Sequence, residues 1–224
     1  MAINEKKPST KYTVGAQYIC FNENKDWDPE AFEGEVLKLP TVVDIDVADN
    51  SSSYASYASG AVYESDTIVA YKEISVTQLA FDEATIAKMK GDTIDSGIIM
   101  SGGIKTRPYF AYGVPIIKKD RSMDMRWYPK CQLVDNSDAT ATSTDSHSDQ
   151  TDSLTIRAYG FDDDQNQEVK VLTAERANAD ITEELFFAAP IMTVEAAKAL
   201  RGSTEGGTEG GTEGDTEGDT EGNG

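Results

Sequence analysis

The sequence is poor in the side chains that metals and catalysts use. Its 224 residues include one histidine, His147, and two cysteines, Cys20 and Cys131, far apart in the chain. No CxxC pair and no Cys/His spacing points to zinc. No stretch approaches the roughly 20 apolar residues of a membrane-spanning helix. The opening residues, MAINEKKPSTKY, lack the apolar run of a signal peptide. These absences predict a soluble chain made in a cytoplasm and not exported by a recognisable route, with two reduced, buried thiols; a disulfide between them is left open. Bases are scarce as well: 20 Lys and Arg face 40 Asp and Glu, a net charge of −20. That balance excludes a tight grip on phosphate backbones, which needs clustered Lys and Arg. Neither GxxxxGK[ST] nor GxGxxG occurs.

What is present is a short-strand pattern. KYTVGAQYICF (11–21) is rich in β-branched and aromatic residues. In LPTVVDIDVAD (39–49), Val43, Ile45 and Val47 alternate with Asp44 and Asp46, the mark of a strand with one wet face. Residues 48–60, ADNSSSYASYASG, read as a long small-residue loop carrying Tyr54 and Tyr57. Such a loop is either a contact surface or an idle hairpin tip. DTIVAYKEISVTQLAF follows as a strand whose apolar phase shifts at Leu79, a bulge or the strand's end. One short helix is well marked: Asp82 as N-cap, Phe81 and Ile86 at the staple positions, Lys88 and Lys90 in the last turn, Gly91 as the stop.

Three further strands come from SGIIMSGG, RPYFAYGVPIIKK and MDMRWYPKCQLV. In the last, simple alternation puts Met125, Trp127, Cys131 and Leu133 on one core face, with an edge or bulge at Pro129. Residues 135–152 offer almost nothing to bury. SLTIRAYGF and EVKVLTA resume as strands, Thr182 can open a short helix, and TVEAAKALR is helix-like. The expected fold is mainly β, a sandwich or barrel with one short flanking helix. Residues 1–200 form the domain and 201–224 an acidic Thr-Glu-Gly repeat. That repeat has neither apolar nor basic residues after Arg201 and is expected to be disordered. Its seven acids, from Glu205 to Glu221, account for part of the net −20, leaving −13 for the remainder.

Candidate chemistry is thin. His147 in STDSHSDQTDS has Ser and Asp beside it, but triad members are brought together by folding and not by adjacency. In FDDDQNQEV, Asp162, Asp164 and Asn166 mimic the start of a calcium loop. Gln167 stands where that loop needs Gly and Thr173 where it needs Glu, so a turn is the better reading. The residues therefore predict no enzyme, no cofactor and no metal. A monomeric binding module, for example for carbohydrate, would use Trp27, Tyr54, Tyr57 and Tyr128 as its stacking platform.

Residues 10–190 resemble the major tail proteins, or tail tube proteins, of long-tailed siphophages. The resemblance lies in RWYPKCQLVDNSDATATSTDSHSDQTDSLTIRAYGF, in DIDVADNSSSYASYASGAVYE and in FAYGVPIIKKD, in that order. It implies a tail-tube-type β-sandwich assembling into hexameric rings stacked as a tube, through which viral DNA passes without tight binding. It also implies a virion location, no membrane, and the tape measure, tail terminator and distal tail proteins as partners. On that reading Asp44 and Asp46 face the channel, while Tyr54, Tyr57, Asp145 and His147 contact neighbouring subunits.

Overall fold

The computed structural model describes residues 7–24, 26–138, 140, 142 and 150–202. Asp145, His147 and the Thr-Glu-Gly repeat lie outside the described residues. The chain is mainly β. Eleven strands are β1 (Lys11–Val14), β2 (Gln17–Phe21), β3 (Leu37–Leu39), β4 (Val42–Ala58), β5 (Ala61–Gln78), β6 (Thr93–Asp95), β7 (Ile98–Met100), β8 (Phe110–Lys118), β9 (Met123–Ser137), β10 (Asp152–Ala158) and β11 (Val169–Leu172). Nine join one antiparallel sheet in the order β3-β2-β8-β9-β10-β5-β4, with β1 on β8 and β11 on β9; β6 and β7 make a separate ribbon.

The sheet curls. Its terminal strands, β3 and β4, are consecutive in the chain, joined through Pro40 and Thr41. Across the gap the Gln17 amide donates to Gln78 Oε1 at 2.6 Å. Inside the curl lies one apolar cluster, with Ile19, Phe21, Ile74, Val76, Phe110, Tyr112, Tyr128, Cys131, Leu133, Leu154 and Ile156 at its centre. Val42, Ile45 and Val47 lean on it. A second cluster lies outside, where Tyr18, Cys20, Met125, Trp127 and Val171 meet Ile181, Phe186, Phe187, Ile191 and Ala197.

Among the described residues the α-helices are α1 (Glu83–Lys90), the well-marked one, and two shorter ones at the positions read as helix-like, α2 (Glu183–Phe186) and α3 (Val194–Ala199). Helix α1 follows its sequence signals. Asp82 accepts from the Thr85 N–H at 2.8 Å, and Gly91 sits at φ 73° with its N–H bonded to Lys88 O. A Cβ at Gly91 would also come within 2.6 Å of Thr106 O, so both conformation and space require glycine. Helices α2 and α3 are each capped by a threonine, Thr182 and Thr193. They are too short to stand alone and persist by covering the outer cluster.

The strand phases depart from simple alternation at several places, two of which change where the core residues point. Val42 pairs with Gln78 and Asp44 with Thr77, so Val43 is an extra residue and faces solvent, while Val42 takes its core position. In β9, Phe110 pairs with Cys131 but Tyr112 pairs with Tyr128, which places a bulge around Pro129. Trp127 and Cys131 are therefore on opposite faces, in the outer and inner clusters respectively, instead of sharing one. Cys20 is in the outer cluster, so the two cysteines sit on opposite sides of the sheet, and both are free thiols.

The segment read as a loop, 48–60, is instead most of a long two-stranded ribbon. Strands β4 and β5 stay paired from Asp44/Thr77 to Ala58/Ala61, turning at Ser59 (φ 53°) and Gly60 (φ 79°). Two consecutive positive φ values give the turn whose twist suits a hairpin. Beyond Ala48 the ribbon leaves the body, and most of its residues are exposed on both faces. About eleven residues at ~3.3 Å each give an arm on the order of 35 Å long. At its root Gln167 donates to Val69 O at 2.9 Å, and Lys72 bridges Asp49 (3.1 Å) and Glu168 (2.9 Å).

Candidate functional site: a bare polar sheet face and an exposed arm

Directly opposed residues of an antiparallel pair share a face, so register alone assembles the outer surface of β4-β5-β10-β9. Asp46 is opposite Ser75, Ser75 opposite Thr155, and Thr155 opposite Asp135. The neighbouring row runs Asp44, Thr77, Ser153, Ser137, and the next Ala48, Glu73, Arg157, Gln132. Across four strands this face holds hydroxyls, an amide and carboxylates, with no large apolar residue in the three rows. Its one base, Arg157, lies 3.4 Å from Glu73 and 4.5 Å from the Tyr71 ring centroid, so its charge is already matched. The inward residues of the same strands, Ile74, Val76, Leu133, Leu154 and Ile156, hold the face flat against the core.

The sequence placed Asp44 and Asp46 on a wet face, and the structure puts them at its edge. Their companions were missed because they come from three other strands. A local signal existed in the alternation of polar with apolar residues in EISVT and SLTIR. Strand β4 has a hydrogen-bonded neighbour on one side only, and so do β3, β1 and β11. The open edge of β4 borders the polar face directly.

The arm carries three exposed tyrosines: Tyr54, Tyr57 and Tyr63 at 51, 73 and 79%. Tyr54, Glu64, Asp66 and Ile68 share one face by register, and Tyr57 with Val62 the other. The Tyr54 hydroxyl donates to Asp66 at 3.0 Å. The β6–β7 ribbon is a second protrusion with exposed apolar residues, among them Ile98 and Met100.

The four-aromatic platform does not form. Tyr128 is buried in the inner cluster, where burial first, and then Glu168, raises its hydroxyl pKa to about 12. Trp27 packs edge-on to Phe32 and Tyr109 beneath Lys130. Tyr54 and Tyr57 point to opposite faces of the arm. The Asp162–Asn166 segment is a turn: Asn166 donates to both Asp162 oxygens, at 2.7 and 2.6 Å. Among the described residues no group of three or more His, Cys, Asp or Glu could hold a metal ion. Among the same residues no helix is long and apolar enough to cross a membrane. A hollow of about 460 Å³ between β11, α3 and the 161–166 turn mixes Lys170, Lys198 and Arg201 with Asp162, Glu168 and Glu195. It contains no paired nucleophile and base.

No family model matches the chain, and a search of curated proteins finds no significant match. Among solved structures, the cryo-EM structure of the anti-feeding prophage cap (AFP tube terminating cap) is similar over 77% of this chain and 96% of that one, with a TM-score of 0.42 and 7% identity.

Proposed function

We propose that this chain is a structural protein of a long phage tail, and that its copies assemble into stacked rings forming a tail tube through which DNA is ejected. The observation that carries the proposal is the open edge of β4, bordered over residues 44–48 by the bare polar face and continued beyond it by the arm. A long unpaired edge is a pairing site for another chain. Adding a neighbour's strand there extends the same polar face from one subunit to the next. A ring built this way presents Asp44, Asp46, Glu73 and Asp135 among hydroxyls. Its single arginine per subunit is occupied by Glu73. Such a wall offers DNA no free base with which to displace counterions, so the polyanion slides without being held. The sequence resemblance to siphophage tail tube proteins supports the same reading. The ring is then hexameric, the location is the virion tail, and the other partners are the tape measure, tail terminator and distal tail proteins.

The test is assembly. Purified chain at high concentration is expected to form rings or tubes in negative-stain micrographs. A chain that stays monomeric at every concentration and salt overturns the proposal. In assembled material, Asp44→Lys with Asp46→Lys is expected to retain DNA at low salt where the wild type releases it.

A further inference from the structure

We infer that the acidic face of the arm docks on a basic patch around the β8–β9 turn of a second copy. The inference rests on the self-assembly proposed above and names the two surfaces that meet. Self-association of a chain with net charge −20 is opposed by its own repulsion, and a contact that brings opposite signs together lowers that cost. The charges are distributed to allow this. Between Asn50 and Tyr71 the arm has two acids, Glu64 and Asp66, and no base. Both acids lie on the face that also shows Tyr54 and Ile68.

The opposite sign collects elsewhere. The segment 7–11, which leads into β1, and the turn after β8 carry Lys7, Lys11, Lys119 and Arg121, all exposed, with Asp120 the one acid among these described residues. The two segments are tied together: the Lys119 N–H donates to Thr10 O at 3.1 Å, and Asp120 N–H to Ser9 Oγ at 3.3 Å. Asp120 is engaged locally, accepting from Ser122 as well. Lys11 sits directly opposite Lys118, a like-charge pair that costs stability. Lys118 is relieved by Asp124 at 2.6 Å. No described carboxylate pairs with Lys7, Lys11, Lys119 or Arg121. Four bases with no carboxylate partner among the described residues, in a chain with twice as many acids as bases, form a receptor for an outside anion. Tyrosine rings beside the arm's carboxylates suit it further, because ammonium and guanidinium groups pack on aromatic faces. An arm on the order of 35 Å long reaches well past its own body. The contact joins two different surfaces, so it propagates from copy to copy, as a ring or stack requires.

Charge reversal on each side tests the contact. Glu64→Lys with Asp66→Lys, and separately Lys11→Glu with Lys119→Glu, are each expected to raise the concentration for half-assembly at least about tenfold. Both reversals in one chain are expected to restore it to within about threefold of wild type. All these positions are exposed, so every variant is expected to fold, with melting temperatures within a few degrees of wild type: Lys11→Glu relieves the like-charge pair with Lys118, and the Asp66 changes alter the hydrogen bond from Tyr54. The neutral pair Glu64→Gln with Asp66→Asn is expected to fall between wild type and the arm reversal. If wild type assembles and either reversal leaves assembly unchanged, or the combined chain is not restored, the docking is overturned while the tube proposal stands. If wild type never assembles, the tube proposal itself fails.

Discussion

The outer face of the sheet has two halves with opposite chemistry. Over β2, β8 and the first part of β9 it is apolar and covered, with Trp127 buried under Phe187 and the C-terminal helices. Over the rest of β9 and over β10, β5 and β4 it is polar and bare. The inner face is apolar behind both halves, so the core does not explain the difference. The cover does: the segment 181–200 reaches one half only, and the other half is soluble as it stands. A polar, uncovered sheet backed by a complete core needs no cover to fold and is left open to solvent or to another chain.

The largest loss of stability is expected on the covered half, at Trp127. Its indole N–H donates to Phe186 O at 3.0 Å, and its ring meets Phe187 edge-on at 5.3 Å. Trp127→Ala should cost about 3–5 kcal/mol in urea unfolding, a large part of a typical domain's ~5–15 kcal/mol. Next is Gly113→Ala, where a new Cβ would lie 2.8 Å from Phe187 and 2.9 Å from Trp127. Overpacking of this kind should cost about 1–3 kcal/mol in the same measurement.

A smaller effect is expected from pH. Burial, then Glu33, against the opposing Lys88, pushes the Cys20 thiol on the covered half up to about 11 from its ordinary 9.0. Burial raises Cys131 and Tyr112 inside the curl as well. Groups whose pKa is raised by folding stabilise fully below their ordinary pKa and lose that contribution as pH rises through the folded value. The urea midpoint should therefore hold steady from neutral pH to about pH 9 and fall toward 11; Cys20→Ser should soften the fall. The smallest effect is expected on the bare half. Ser75→Ala and Thr155→Ala should each change stability by less than about 0.5 kcal/mol. A loss above 2 kcal/mol at either would mean the bare face is held by contacts that the comparison does not include.

Features set by neighbouring residues were legible in the sequence. Helix α1 was readable because caps and stops are local chemistry, from Asp82 to Gly91. Asp44 and Asp46 were readable as a wet face because alternation is local too. The bulges were not: whether Val42 or Val43 packs is decided by which residue Gln78 and Thr77 accept as partners across the strand. Pro129 flagged a disturbance, but only pairing with Phe110 and Tyr112 shows that the phase flips there. The arm was invisible for a different reason. Ser, Ala and Asn have little strand preference, and this segment is extended because 61–71 supplies its backbone partners. The covering helices were readable one by one, from Thr182 and from TVEAAKALR, but the layer they make was not, because which strands they cover is set by packing distant in sequence.

The extra residue at Pro129 makes β9 behave like two strands spliced out of phase. Upstream, the odd-numbered side chains Met125 and Trp127 answer to the C-terminal cap; downstream, the same parity, Cys131 and Leu133, answers to the inner core, and the outward positions pass to Lys130 and Gln132. Substitutions on one side of the splice leave the other side's constraints untouched. The two halves are thus free to diverge in composition at different rates, with a single proline keeping them in one backbone.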